Sequence, residues 1–429
     1  MTAVLGILNK QGVAIAADSA VTIGNSANHK ILNKANKVFA LSKHHPVGIM
    51  IYNSASFMLT PWETIIKMYR KHIGEVSFPT LRGYVHDFIA FLRERQFFTD
   101  DETQKNFLAY FAFNIIESII NNVFTEHNIP KENPTQEDKD SFIRLFEESV
   151  DSVTHMWNQK DEGFDEFTEY TLENFTQYSN DIFDRIKEER FTQNEIDISD
   201  PLFEKIKLMI YSVLIKKEEI SSFTGLIFTG FGEDEIYPSL IPIDVFMVID
   251  NRLRFFYNDE RAAAITNKNS GVVCPFAQTD VIDTILSGID PSLDEIYLSN
   301  FRNLLERYNT EILDRIGDTN PLLTEQIRNL DTGAVVQEFR DLNRQITIKN
   351  YIGPLMNAVS NLAKEDLAEM AESLIYLTNL KRRITFAEES VGGPVDVAII
   401  SKGDGFIWIK RKHYFKPELN QHFLNNYLS

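Results

Sequence analysis

The residue that could do chemistry without a cofactor stands at position 2. Thr2 follows Met1, and its small side chain is of the kind that permits removal of an initiator methionine. Removal would leave a hydroxyl and a free α-amine on one residue, and that amine can act as general base for the hydroxyl. Because an α-amine titrates near pH ~8, a modest downward shift makes it a base at neutral pH. The first hypothesis is therefore an N-terminal threonine nucleophile, although many chains begin with Met-Thr for no functional reason.

A carboxylate and an amine follow at positions that could support this nucleophile. Asp18 ends the apolar run Val13–Ala17, where a buried carboxylate is costly unless it is paired. Lys37 stands immediately before the next apolar run, and a Lys–Asp pair beside Thr2 would place positive charge near the hydroxyl. Each residue also has an ordinary interpretation, Asp18 as a turn or cap residue and Lys37 as a solvated strand end.

Short apolar runs separated by turn residues indicate the strands that would position these side chains. Val4–Leu8 and Val13–Ala17 flank the turn sequence Asn9–Gly12. Lys37–Leu41 and Val47–Tyr52 form a second apolar pair. The sequence therefore predicts two pairs of strands at the N-terminal end.

The hydrophobic period changes from that of strands to that of helices after residue 60. Thr60–Glu63 predicts a capping box with proline at the first helical position. Helical or irregular patterns continue to about residue 220. Strands return at 223–256, where Asp250-Asn251 is a hairpin signal. A second helical block covers about 278–380, and one face of its last segment is lined by Leu367, Ala371, Leu374, Ile375 and Thr378. Val395–Ile400 and Phe406–Ile409 predict a final hairpin.

The N-terminal segments resemble a known family of enzymes. Thr2–Ile7, Gly12–Ser19 and Thr22–Asn25 are similar to the opening of proteasome β subunits and of the related bacterial ATP-dependent protease peptidase subunit. In that family an N-terminal Thr precedes two strands, an Asp follows sixteen residues on, and a Gly-Asn pair comes next. Asp18 lies sixteen residues after Thr2 here, so the resemblance identifies the chain as a divergent member with helical insertions.

The resemblance implies a role for each matching residue. The family's catalytic Lys opens the third strand, which Lys37 matches, with Lys34 as its rival if the intervening insertion lies elsewhere. Asn53 stands where the family has the Gly whose backbone N–H completes the oxyanion hole. Near the end, Glu388 matches an Asp that precedes the family's Ser-Gly-Gly, while Val391 replaces the Ser. The auxiliary serine is therefore missing or shifted to Ser390.

The resemblance covers about half of the chain and implies a fold. We expect an α+β protein with the four-layer αββα sandwich of N-terminal nucleophile (Ntn) hydrolases. We expect residues 1–429 to form a single domain, with helical insertions at about 75–220 and about 290–365. No sequence between these blocks has the composition of a flexible linker.

Composition excludes several classes of function. A net charge of −19 repels phosphate backbones and anionic lipid, so we expect no nucleic acid and no membrane partner. The apolar stretch 107–124 contains too many polar residues to span a bilayer. A single cysteine, Cys274, precludes an intramolecular disulfide and fits a reducing compartment, the cytoplasm. We interpret it as a buried hydrophobe rather than a reactive thiol.

The remaining patterns add no second site. The nine histidines lack metal-ligand spacing, and no phosphate-binding glycine motif occurs, so we expect neither metal nor cofactor. Lys410–His413 is interpreted as a solvated strand end. The function that these features favour is hydrolysis of peptide or amide bonds by Thr2 after removal of Met1. The alternatives are an inactive proteasome-like scaffold or binding subunit and a small-molecule amidase; homo-oligomerisation is possible, and any ATP-dependent unfoldase partner is unknown.

Overall fold

The computed structural model confirms an α+β protein. It describes residues 2–25, 28–32, 34–95, 100–130, 134–160, 163–194, 196–217, 223–316, 321–385, 392–413, 415–416 and 419–421. The strands are β1 (Ala3–Asn9), β2 (Gly12–Ala17), β3 (Val21–Asn25), β4 (Asn28–Leu32), β5 (Val38–Ala40), β6 (Val47–Asn53), β7 (Ser56–Phe57), β8 (Thr60–Pro61), β9 (Thr224–Gly230), β10 (Ser239–Ile249), β11 (Arg252–Tyr257), β12 (Ala263–Ala264), β13 (Gly271–Ala277), β14 (Asp396–Ser401) and β15 (Gly405–Lys410).

The helices lie between these groups of strands. They are α1 (Trp62–Ile73), α2 (Leu81–Glu94), α3 (Asp101–Glu126), α4 (Gln136–Asn158), α5 (Leu172–Ile186), α6 (Asp200–Leu214), α7 (Asp280–Ser287), α8 (Pro291–Ile316), α9 (Pro321–Arg328), α10 (Thr332–Thr347), α11 (Gly353–Val359) and α12 (Lys364–Ile384). Helices α2–α6 and α8–α11 thus fall in the two segments predicted as insertions. The division into one domain with insertions stays a prediction.

Two antiparallel sheets carry most of the strands. One has the order β13-β1-β2-β14-β15, and the other has the order β11-β10-β9-β6-β5 with β12 beside β10. The predicted pairs are confirmed, since β1 pairs with β2 and β5 pairs with β6. The hairpin between β10 and β11 is also confirmed, and its two turn residues, Asp250 and Asn251, both have positive φ angles of 48° and 59°.

The side chains of β1 show why both faces of the first sheet are buried. Ala3, Leu5 and Ile7 pack in a hydrophobic cluster that includes α12 residues such as Leu367. Val4 and Leu8 point the other way, into a cluster that contains residues of both sheets. A third and larger cluster joins one face of the second sheet to helices α1–α6. Alternation along each strand therefore distributes its side chains between two cores.

Two local predictions were wrong or incomplete. The capping box at Thr60 does not form: Thr60 and Pro61 are the short strand β8, Thr60 pairs with Phe57, and α1 begins at Trp62 without a side-chain cap. Strand β13 was missed, although it pairs with β1 over its whole length. Its Pro275 cannot donate to a ladder, and the edge position of β13 tolerates that loss.

Helix α3 bears on the expectation that the chain avoids membranes. Within the described ranges it is the one helix long and apolar enough, by length and composition, to cross a bilayer, with a mean hydropathy of 1.4 over its most apolar 18 residues. This is weak evidence, because core helices of soluble proteins pass the same test. Its residues Leu108, Phe111 and Ile116 lie buried in the third cluster. The absence of a membrane partner stays a prediction.

Candidate active site

Asp18 is held at the end of β2 by the register of the first sheet. Val4 pairs with Ala17, so Asp18 lies beside Ala3. The Asp18 N–H donates to the Ala3 carbonyl at 3.1 Å, and the Ala3 N–H donates to Asp18 Oδ1 at 2.9 Å. The carboxylate is fully buried. It binds the backbone of Ala3, the residue that follows Thr2.

The Asp18 carboxylate accepts four hydrogen bonds from four parts of the chain. Besides Ala3 N–H, Oδ1 accepts from Lys37 Nζ at 2.7 Å. Oδ2 accepts from the N–H groups of Ala20 at 3.0 Å and Gly392 at 3.1 Å. A buried charge with this number of donors is compensated for the loss of water. The carboxylate therefore fastens the strands β1 and β2, the segment after residue 391 and Lys37 to one another.

Lys37 is the amine that pairs with Asp18, and it is 3% exposed. Its carbonyl accepts from Ile51 N–H at 2.9 Å, which continues the β5–β6 ladder to this residue. Burial lowers the pKa of the Lys37 amine, and the Asp18 carboxylate opposes that shift. Lys34, the rival in the sequence, is exposed. The structure therefore brings Lys37 to Asp18, and it places this pair beside Ala3, the residue that follows Thr2.

Thr2 itself is 5% exposed and is positioned by the missed strand β13. Its carbonyl accepts from Gln278 N–H at 3.1 Å, immediately beyond the pairing of Ala3 with Ala277. The Gln278 side chain in turn accepts from Arg382 Nε of α12 at 2.7 Å. The backbone at position 2 is thus tied to the sheet and to a helix that covers it.

Asn53 is the last residue of β6, where it pairs with Thr224 and is exposed. Its φ of 65° is left-handed, a conformation that asparagine tolerates better than most residues. Among the described contacts, no hydrogen bond joins Asn53 to Thr2, Asp18 or Lys37. Its oxyanion role remains a prediction.

Glu388, together with Ser390 and Val391, lies outside the described residues. The glycine that follows them is described and contributes directly, because Gly392 donates to Asp18 and its carbonyl accepts from Ser19 N–H at 3.1 Å. Ser19 Oγ donates to the Pro394 carbonyl at 2.5 Å. Residues 392–394 are therefore bound beside the carboxylate.

A second buried ion pair adjoins the first, and sequence reasoning missed it. Asp396 is 2% exposed, accepts from the backbone N–H of Lys412 at 2.8 Å and also binds Lys412 Nζ. Both groups act on Lys37: the Lys412 charge lowers its pKa and the Asp396 charge raises it. The interpretation of Lys410–His413 as a solvated strand end is thus wrong for Lys412. The sequence did contain a signal for this pair, because Asp396 lies within an apolar run and, like Asp18, needs a partner when buried.

Cys274 provides a testable contrast to Thr2 as a nucleophile. It pairs with Gly6 in β1, and burial raises the pKa of its thiol to about 12, with Arg261 opposing the shift. Because the thiolate is the reactive form, we expect a disulfide reagent such as DTNB at pH 8 to react at least ~100-fold more slowly with native protein than with urea-unfolded protein. Cys274→Ser controls for signal from any other group. Equal rates in the two states would contradict the burial of the thiol.

Comparison with known proteins finds no matching protein-family model and no matching curated relative. Among solved structures the chain is similar to the Anbu (Gly-1) mutant from Hyphomicrobium sp. strain MC1, with 11% identity, coverage of 99% of this chain and 94% of that chain, and a TM-score of 0.27. It is also similar to the structure described as the helical assembly of the Anbu complex from Pseudomonas aeruginosa, with 8% identity, coverage of 99% and 93%, and a TM-score of 0.31.

These matches correct the identification made from the sequence. Both solved structures are named Anbu, so the assignment of this chain to the proteasome β-subunit type is wrong. With TM-scores this low, the similarity supports no conclusion about activity, substrate or partners.

Proposed function

We propose that the chain is an N-terminal threonine hydrolase that cleaves peptide or amide bonds after removal of Met1. The observation that carries this proposal is the buried Asp18–Lys37 ion pair, whose acceptor oxygen Oδ1 also binds the N–H of Ala3, the residue after Thr2. A buried pair of this kind costs desolvation energy that hydrophobic residues would not cost. A role in holding positive charge beside a nucleophile accounts for it.

In the proposed reaction, Thr2 Oγ attacks the carbonyl carbon of the substrate and its proton passes to the Thr2 α-amine, directly or through water. Lys37, paired with Asp18, supplies positive charge that stabilises the developing alkoxide at Thr2. The Asn53 N–H would donate to the oxyanion of the tetrahedral intermediate. Collapse of that intermediate expels the amine product, which takes the proton, and leaves an acyl ester on Thr2 Oγ. Water then hydrolyses the ester and restores the hydroxyl.

Together with this function we propose a more specific description of the fold. We assign a four-layer αββα order, in which the two sheets face one another and each has helices on its outer side. The separation of the hydrophobic residues into three clusters, one between the sheets and one on each outer face, supports this order. The helical segments 75–220 and 290–365 would then be insertions into one domain. We place the protein in the cytoplasm, with a peptide or protein substrate.

The second candidate is a binding subunit without catalysis. The observation that favours it is the burial of Thr2, whose exposure of 5% leaves little access to a substrate. The two functions differ in what they require of the N-terminus. A catalytic Thr2 must have a free amine, whereas a binding subunit has no such requirement.

Intact-mass spectrometry of the untagged protein tests the proposal. We expect a mass lower than that of the full sequence by one methionine residue. We then expect one equivalent of adduct with a peptidyl epoxyketone, an electrophile that reacts with a hydroxyl and an adjacent amine together. Retention of Met1 in the purified protein would overturn the enzyme proposal and favour the binding subunit.

A further inference from the structure

Helices α8 and α10 form an arm with an unusually small core of its own. Within the described residues, Leu298 is the one buried side chain of α8, and Val336 is the one buried side chain of α10. Phe301 and Phe339 stack between the two helices with ring centroids 4.4 Å apart. The other residues of α8 are exposed or half-buried, so most of this helix, which is about 39 Å long for 26 residues, is in contact with solvent.

The two helices of the arm run antiparallel. The arm starts after Gly288, and it ends near Tyr351 in the π-helical segment that follows α10. A Cβ built on Gly288 would lie 2.9 Å from the Tyr351 ring, so the start and the end of the arm meet. The ion pair of Glu295 with Arg340, at 3.4 Å, fits the same direction.

Each helix carries a second apolar stripe beside the one that packs within the arm. On α8 the exposed stripe is Tyr297, Leu304 and Tyr308, and on α10 it is Val335, Leu342 and Ile346. Both sets have the spacing i, i+7, i+11, which places them along one side of a helix. All six side chains are between 46% and 62% exposed.

The two exposed stripes lie on the same side of the arm. On α8 the exposed Tyr297 precedes the buried Leu298, and on α10 the exposed Val335 precedes the buried Val336. One residue corresponds to a rotation of about 100° about a helix axis. Because the helices are antiparallel, equal rotations away from their shared contact turn both stripes toward one side. The six residues therefore form one continuous apolar face, named here the arm face.

We propose that the arm face binds the arm face of a second copy of this chain, so that two arms make a four-helix bundle. The six side chains are each about half exposed and together offer apolar area on the order of several hundred Å², the scale of the ~800 Å² that each partner buries in a standard interface. A second copy presents an identical arm face with the same spacing. A two-fold axis between the copies would therefore bury the same six residues on each of them. This pairing does not depend on the proposed chemistry of Thr2.

Charges beside the arm face favour a protein partner over a lipid surface. By helical periodicity, Glu311 lies beside the stripe on α8 and Glu338 lies beside the stripe on α10. Helix insertion would carry these carboxylates toward hydrocarbon, which is costly. Anionic lipid headgroups would also be repelled by a chain of net charge −19. At the rim of a protein interface the same charges stay in water.

Sedimentation equilibrium of the full chain tests the pairing. We expect wild type to contain an even number of chains and the Leu304→Glu/Leu342→Glu variant to have half that mass. Two glutamates in the centre of an apolar interface should raise the dissociation constant at least ~100-fold. Ile236→Glu/Ile384→Glu is the matched control, since it makes the same charge change at exposed positions outside the arm. It should keep the wild-type mass.

Either of two results would overturn the proposal. One is a wild-type protein that remains a single chain at the highest concentration measured, which would leave the arm face to another partner. The other is an arm variant whose mass equals that of wild type. Circular dichroism and thermal unfolding of all three proteins show whether a change in mass comes from misfolding. Epoxyketone labelling of Thr2 is a separate readout, so failure of the catalytic proposal leaves this test intact.

Discussion

Replacement of Thr2 by alanine is expected to abolish covalent labelling by the peptidyl epoxyketone. Alanine is small, so Met1 removal and the free amine are retained while the hydroxyl is lost. Removal of a catalytic nucleophile costs several orders of magnitude in rate, about 10⁶-fold in well-studied hydrolases. We expect labelling of Thr2→Ala to fall at least ~1,000-fold below wild type, measured as the fraction of adduct by intact mass.

The matched control is Thr2→Ser, which keeps a hydroxyl on the same carbon. We expect it to lose Met1 and to label, because serine presents the same two reactive groups. Thermal unfolding of both variants establishes that they are folded. Labelling of Thr2→Ala at the wild-type rate would show that another group reacts, and the assignment of Thr2 as nucleophile would then fail.

Replacement of Asp18 by asparagine is expected to lower the free energy of unfolding by about 3–5 kcal/mol, the loss measured when one partner of a buried ion pair is removed. The amide removes the carboxylate that pairs directly with the Lys37 ammonium. Its NH₂ group also cannot accept from Ala20 N–H and Gly392 N–H, which now bind Oδ2. Urea denaturation measures the change.

An exposed ion pair supplies the control for Asp18. Glu148 accepts from Arg144 at 3.0 Å on the surface of α4, with both side chains more than half exposed. Glu148→Gln should change the free energy of unfolding by less than about 1 kcal/mol. The double variant Asp18→Asn/Lys37→Met should lose less free energy of unfolding than the sum of the losses in its two single variants. The reason is that each single variant leaves one buried group of the pair without its partner. An Asp18→Asn protein as stable as Glu148→Gln would contradict the account of the site.

Hydrophobic patterns along the chain predicted the elements that this site needs. The apolar runs before and after Asn9–Gly12 became β1 and β2 because each is apolar on both faces and too short for a helix. The face of α12 that includes Leu367 and Ile375 was also foreseen, and both residues are buried. Local turn chemistry at 250–251 likewise identified the β10–β11 hairpin. In each case the determining interactions lie within a few residues.

Other features of the fold could not be predicted from neighbouring residues in the sequence. Thr60 has the residues of a helix cap, yet pairing with Phe57 draws it into a strand. Strand β13 contains a proline and acquires its ladder from β1, more than 260 residues earlier. Family membership inferred from the N-terminal spacing was wrong, since a short motif samples a small part of the chain.

The sequence by itself determined that Asp18 would need a partner, because a carboxylate at the end of a wholly apolar strand must be compensated. It also offered Lys37 as that partner, with Lys34 as the rival that the family resemblance left open. Only the tertiary structure decided that Lys37 fills this place, that Gly392 completes the donor set, and that Asp396 and Lys412 form a second pair beside it. The physical reason is that periodicity and propensity act between neighbours. The donors around one buried oxygen are instead chosen by sheet register across hundreds of residues.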